Sequence, residues 1–242
     1  MIESTDKSSA GRNTASFVLE VVALALLLIS MGAAVLAGID QTAAVSMVAS
    51  VVSLLLLFVS YEWGKPSLRE TMPVVVLAAL AAAGRIIFAP IPDVKPVSAI
   101  CIVAGSVFGR KSGFMVGALA ALVSNFFFGQ GAWTPWQMYA WGLVGWLAGA
   151  LTHAGAFKAR PAVYVYGFAS GLLYGIILNL WSILGFYHPE TLSEAMIIWG
   201  AAVPLDIIHG VATVVFLKLL WAPWHRKLER LKTVYDLGAI EP

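Results

Sequence analysis

Four polar side chains, Arg85, Asn125, Asn179 and Asp206, stand inside long apolar stretches of this sequence, and His209 follows Asp206 by three residues on the same helical face. In hydrocarbon each needs a partner or a water-filled cavity. A guanidinium and a carboxylate in that setting either pair and tie two helices together, or face a cavity and hold a ligand. His209 reads as a hydrogen-bonded core residue or as a further ligand contact. The densest grouping of aromatic and hydrogen-bonding residues is Asn125-Phe-Phe-Phe-Gly-Gln-Gly-Ala-Trp-Thr-Pro-Trp-Gln137, with Tyr139 just beyond it. It joins two apolar runs through a loop that carries no charge. Gly129 and Gly131 let the backbone turn and approach a ligand, and Pro135 suits the start of a helix. Trp133, Trp136 and Tyr139 offer faces for stacking, while Asn125, Gln130, Thr134, Gln137 and Asn179 offer polar edges. This is the chemistry of a binding rim rather than of catalysis; an interfacial aromatic belt is the competing reading.

The usual catalytic patterns fail on spacing. Gly105-Ser-Val-Phe-Gly109-Arg-Lys-Ser112 has one residue too few between its glycines, and Arg110 before the lysine, to form a phosphate-wrapping loop. Any ATP is therefore expected to be used by a partner. Ser170 with His209 suggests an intramembrane serine hydrolase, but Phe168 stands where that motif needs glycine, and helical hydroxyls often bond their own backbone. No Cys/His cluster or His-Glu-x-x-His spacing argues for a metal. Cys101, the one cysteine, lies in an apolar run and forms no intrachain disulfide.

The elements that position these residues are transmembrane helices. With 60% hydrophobic and 12% charged residues in 242, against about 25% charged in ordinary globular domains, the chain belongs in a bilayer. Its net charge of +2 and scattered basic pairs exclude a nucleic-acid partner. The fold class is all-α, a polytopic helical membrane protein. Two accessory spans, an apolar run from Phe17 to Ala37 and another from Ala43 to Tyr61, join through a turn around Gly38, Asp40 and Gln41. The first is longer than a signal-peptide core, although Val35-Leu36-Ala37 would pass as a cleavage site. Six core spans follow: Met72 to Ala89, Val97 to Phe108, Gly113 to Phe128, Pro135 to His153, Pro161 to Gly185 and Ser193 to Leu219. The division is thus residues 1–71, 72–219 and a basic tail, 220–242.

Lys7, Arg12, Lys65, Arg69, Arg110, Lys111, Lys158, Arg160 and the tail fall on one side, and only Lys95 on the other, which predicts both termini in the cytoplasm. The loops Pro90 to Pro96, Gly129 to Trp136 and Tyr187 to Glu190 then lie together outside. Arg85, Asn125 and Asn179 fall toward that end and Asp206 nearer the middle, so one outward-open cavity could collect them. Residues spaced by four, namely Ala78 with Ala82, Ala79 with Ala83, Gly113 with Gly117, Gly145 with Gly149, and Gly167, Gly171 and Gly175, permit close helix contact.

The six-span core resembles the substrate-binding membrane subunits, or S components, of energy-coupling factor (ECF) vitamin transporters. The resemblance rests on Arg85-Ile-Ile-Phe88 leading into Pro92-Asp-Val-Lys95-Pro96, on Phe108-Gly109-Arg-Lys-Ser-Gly113-Phe114, and above all on Asn125 to Gln137. It implies a vitamin site capped by loops and formed from the residues above with Lys95. It also implies a transmembrane coupling subunit and two cytoplasmic ATPases as partners, docked against the small residues Ala78, Ala79, Ala82 and Ala83. No cofactor is expected to stay bound; the vitamin is cargo, and ATP-driven changes in the partners would reorient the subunit to release it inside. The organising loop, Asn125 to Gln137, looks most like cobalamin-type members, with riboflavin and other vitamins or precursors as alternatives. The accessory pair departs from the six-span pattern.

Overall fold

The computed structural model describes residues 3–36 and 41–237, and the side chains of residues 14–33, 36 and 41–237. The turn expected at Gly38 and Asp40, the side chains of Lys7 and Arg12, and the Val35 to Ala37 site apart from Leu36 lie outside that set. Eight α-helices run through the described residues: α1 (Glu3–Leu36), α2 (Thr42–Trp63), α3 (Leu68–Ile87), α4 (Val97–Phe108), α5 (Arg110–Phe128), α6 (Thr134–His153), α7 (Arg160–Ser182) and α8 (Leu192–Val234). No strand occurs among them. The chain is a polytopic helical membrane protein, with six of these helices long and apolar enough to cross a bilayer.

The two helices outside that six explain the middle of the bundle. At 12 residues, α4 is about 18 Å long, short of the roughly 30 Å hydrocarbon core. Every one of its residues is buried. Its run Val-Ser-Ala-Ile-Cys-Ile-Val-Ala-Gly-Ser-Val-Phe has no polar face, the pattern of a helix covered all round, and α5, α6 and α8 pack around it. The other, α6, trades aliphatic residues for Trp136, Trp141 and Trp146, all buried. Glycines let the central helices touch: a side chain on Gly105 or Gly113 would strike the Gly145 backbone, and one on Gly149 the backbone of Arg110. Likewise Gly171 abuts Gly210, and Gly167 meets Leu217, where α7 packs on α8. The four-residue glycine spacing is therefore internal packing.

Several boundaries differ from the sequence expectation; α1 begins at Glu3 rather than Phe17 and α5 at Arg110 rather than Gly113. Helix α3 begins at Leu68 rather than Met72, because Ser67 and Glu70 form a reciprocal capping box: Glu70 N–H donates to Ser67 Oγ (3.3 Å) and Ser67 N–H to Glu70 Oε2 (2.7 Å). Helix α7 passes into a π-helical turn, Ile183–Tyr187, which His188 ends in left-handed conformation. Helix α8 does not stop at Leu219 but continues through the basic segment to Val234, about 65 Å in all at 1.5 Å per residue.

The first apolar run also carries a charge, Glu20, and that residue welds α1 to the core. Its carboxylate, 1% exposed, accepts from Arg110 Nε (2.8 Å), Trp146 Nε1 (2.9 Å), Ser60 Oγ (2.9 Å) and Ser16 Oγ (3.1 Å), with Lys111 Nζ at 3.6 Å. Lys111 also donates to the Ser60 carbonyl (3.1 Å). Charged partners and hydrogen bonds together offset the cost of removing a carboxylate from water.

Candidate functional site

At the far end of the bundle from Glu20, the ends of α3, α5 and α7 meet the beginnings of α4 and α6. Arg85 sits in the last turn of α3, where a cation complements the helix C-terminus. Its guanidinium donates through Nη1 to Ser124 Oγ (2.6 Å) and Asn125 Oδ1 (2.6 Å), and through Nη2 weakly to Gln137 Oε1 (3.4 Å). Two rings flank the charge: the Phe128 centroid lies 4.7 Å and the Trp141 centroid 5.0 Å from Cζ. No carboxylate of a described residue pairs with it. The alternative of an Arg85–Asp206 ion pair is therefore not what forms; Asp206 Oδ2 instead accepts from Asn179 Nδ2 (3.0 Å).

From Arg85 the hydrogen bonds run in one direction through the organising loop. Asn125, whose Oδ1 is taken by Arg85, donates through Nδ2 to Gln137 Oε1 (2.8 Å) and Thr134 Oγ1 (3.1 Å). Thr134 donates to Gln130 Oε1 (2.9 Å), and Gln130 Nε2 donates to the Leu122 carbonyl (2.9 Å), closing the loop onto α5. Gln137 Nε2 passes the chain to α7 by donating to the Tyr174 hydroxyl (3.2 Å). Gly129 makes the turn possible with φ +97°. Arg85, Asn125, Gln130, Thr134 and Gln137 thus form one network.

The remaining expected site residues divide. Tyr174 links the network to α8: its ring lies 4.8 Å from that of His209, and Gly175, its neighbour, leaves the space that the Asp206 carboxylate fills. His209 Nε2 and Ser98 Oγ share a hydrogen bond (2.8 Å), whereas Ser170 Oγ donates to the Gly167 carbonyl (2.8 Å). No Ser170–His209 dyad is assembled. Trp133, 36% exposed, packs edge-on against Trp181 (6.1 Å); Phe126 and Phe127, near the end of α5, are also exposed. Trp136 (1% exposed) and Tyr139 (0%) lie within the core, and the Tyr139 hydroxyl donates to the Leu24 carbonyl of α1 (2.5 Å). Lys95 turns back on its own loop, donating to the carbonyls of Phe88 (2.5 Å), Ile91 (2.6 Å) and Ala89 (3.4 Å). Partial burial pushes its pKa below the ordinary lysine value, opposed by the Asp93 charge, and burial also raises Asp93. Of the four alanines expected to form the docking face on α3, Ala78 and Ala82 are buried and Ala79 and Ala83 exposed.

Sequence reasoning passed over Tyr174, Trp141 and Ser124. Trp141 stacks on Tyr174 at 4.6 Å, and its indole N–H, like that of Trp136, is buried without an acceptor among the described residues. One signal was available for Trp141: it follows Gln137 by four residues and so shares its helix face.

Residues 67–223 match the family model described as ECF-type riboflavin transporter, S component. No curated protein and no solved structure matches the chain. The family match begins at the Ser67 cap and leaves α1 and α2 outside it. Membership implies a transmembrane coupling subunit and ATPase subunits as partners. Because the match takes in well over half of the 242 residues, the chain belongs to the S components, the substrate-binding membrane subunits of ECF transporters.

Proposed function

We propose that this S component captures a corrinoid of the cobalamin type at the Arg85 end of the bundle and delivers it through its coupling partners. The observation that carries the reading is a guanidinium held by neutral oxygens and flanked by rings, next to a rim of exposed aromatic residues. A large ring edged with amides can lie on Trp133 while its amides exchange hydrogen bonds with Gln130, Gln137 and Asn179, and Asn125, buried and already bonded, holds Gln137 in place. Arg85 and the N–H of Trp141 are donors without an acidic or any described acceptor, respectively, and suit carbonyl or phosphate oxygens. Lys95 clasps the Pro90 to Pro96 loop as a lid support, and the lid opens to the outside with both termini in the cytoplasm. Two cytoplasmic ATPases supply the driving force, and the coupling subunit docks on the α3 face that includes Ala79 and Ala83.

Riboflavin is the second reading, favoured by the description of the matched family. Flavins also stack on aromatics and bond to amides. Purification in detergent after exposure to a vitamin mixture, followed by absorption spectroscopy and mass analysis of what is released, separates the two. A corrinoid spectrum at near-equal stoichiometry supports the first reading and a flavin spectrum the second. Folded protein that retains neither overturns both.

A further inference from the structure

Arg85 is not alone at its end of the bundle in lacking a counterion. Asp206, on α8, is half-buried and accepts a hydrogen bond from Asn179 Nδ2 (3.0 Å) alone among the described residues, although an ionised carboxylate has room for about four. Asp93, in the loop between α3 and α4, is also half-buried, and no described residue donates a hydrogen bond to it. Neither carboxylate forms an ion pair with a described residue. The cations nearby are committed elsewhere, Arg85 to Ser124 and Asn125 and Lys95 to the carbonyls of its own loop. His209, three residues after Asp206, is bound to Ser98.

Tyr174 marks where these charges converge. Its hydroxyl accepts from Gln137 of the Arg85 network, and its neighbour Gly175 gives way to the Asp206 carboxylate. The charges of Arg85, Asp206 and Asp93 all act on that hydroxyl, and Asp93 and Asp206 act on one another. Trp141 stacks on Tyr174 and lies 5.0 Å from Arg85 Cζ, with its buried N–H lacking an acceptor among the described residues. This end is therefore polarised. Donors without an acid stand on α3 and α6, and acids without a cation stand on the α3–α4 loop and α8. Opposite charges in apolar surroundings attract, yet α5 holds the guanidinium and α7 the Asp206 carboxylate, which keeps the two apart.

We propose that the site reads a ligand edge carrying both kinds of hydrogen-bonding group, with acceptor oxygens directed to Arg85 and Trp141 and N–H donors directed to Asp206 and Asp93. This selectivity rests on vitamin capture at the Arg85 end and adds to it the acids that choose among ligands. A ligand N–H gives the carboxylates a charge-assisted hydrogen bond in place of lost water. A methyl group in its place leaves them unpaired, and a ligand carboxylate adds like-charge repulsion. A row of primary amides, as on a corrinoid, meets the requirement, and so does the N–H between two carbonyls of a flavin. A metal ion fits less well, since the described residues offer no group of three or more metal-ligating side chains.

The test is isothermal titration of the full chain in detergent with ligands altered at one N–H group: riboflavin against 3-methylriboflavin, and cyanocobalamin against each of its monocarboxylic acids, in which one amide is hydrolysed. For the vitamin that binds, the methylated form, or at least one of the acids, should bind about tenfold more weakly or worse. Asp206→Asn combined with Asp93→Asn should bring that ratio close to unity. A purely structural role for the acids would weaken parent and altered ligand by the same factor and leave the ratio intact. Arg85→Gln should also weaken both alike, because it reads the other group on the edge. Melting temperatures check that the variants fold, and Asp93→Asn alone, in a loop, should already lower the ratio several-fold. Equal affinity within each set in the unaltered protein overturns the proposal, as does a ratio that survives both aspartate substitutions. Folded protein that binds neither parent vitamin overturns the capture reading itself and this selectivity with it.

Discussion

Glu20 and Arg85, both drawn into this membrane protein, are treated in opposite ways. Glu20 receives two cations, an indole and two hydroxyls, and is sealed from solvent. Arg85 receives only neutral oxygens and ring faces, and remains partly exposed. The first arrangement neutralises its charge locally, joins α1 and α2 to α5 and α6, and leaves nothing for a ligand. The second spreads hydrogen bonds over Asn125, Gln137 and Tyr174 but brings no anion from the described residues. A closed charge holds helices together; a charge without a counterion retains attraction for whatever enters.

That contrast can be broken experimentally, beginning where the effect should be greatest. Glu20→Ala removes the buried carboxylate on which Arg110, Lys111 and Trp146 converge and should cost about 3–5 kcal/mol of stability, read as a lower melting temperature in detergent. Glu20→Leu combined with Arg110→Met should recover much of that loss, since paired apolar replacements are tolerated where single deletions are not. A Glu20→Ala protein that melts normally would end the distinction between the two sites.

Arg85→Gln should have the opposite profile, with ligand affinity falling by about 2 kcal/mol or more, near thirtyfold, and melting shifted little. Isothermal titration with the vitamin recovered from the purified protein measures it, and unchanged affinity would move recognition away from this network. Trp133→Ala should weaken the same binding by about 1 kcal/mol, several-fold, through loss of a stacking face. Finally, Ala79→Leu with Ala83→Leu should leave both melting and ligand binding unaltered while lowering the yield of coupled complex in a pull-down. These two positions are exposed, whereas Ala78 and Ala82 are buried and would report on packing instead. Full complex yield would place the docking face elsewhere.

The sequence by itself determined the helical membrane class, because long apolar runs admit only structures that satisfy their own backbone in hydrocarbon. It also marked the loop from Asn125 to Gln137 and the cost of isolating Arg85 and Asp206, since residue type alone sets those desolvation penalties. The Ser67–Glu70 cap, although the expected core began only at Met72, was written in the same local way, as a serine followed three residues later by glutamate. What lay beyond it were partnerships between residues far apart in the chain. Periodicity puts Gln137 and Trp141 on one face but does not say that Tyr174 of another helix meets both, nor that Arg85 chooses Ser124 and Asn125 over Asp206. Glu20 shows the limit most clearly. Hydropathy averages one carboxylate into a run of aliphatic residues, and only packing of α1 beside Arg110, Lys111 and Trp146 makes that carboxylate a structural centre. Local chemistry states what each side chain requires; the tertiary structure decides which neighbour supplies it, because in hydrocarbon the choice depends on helix faces brought within 3 Å of one another.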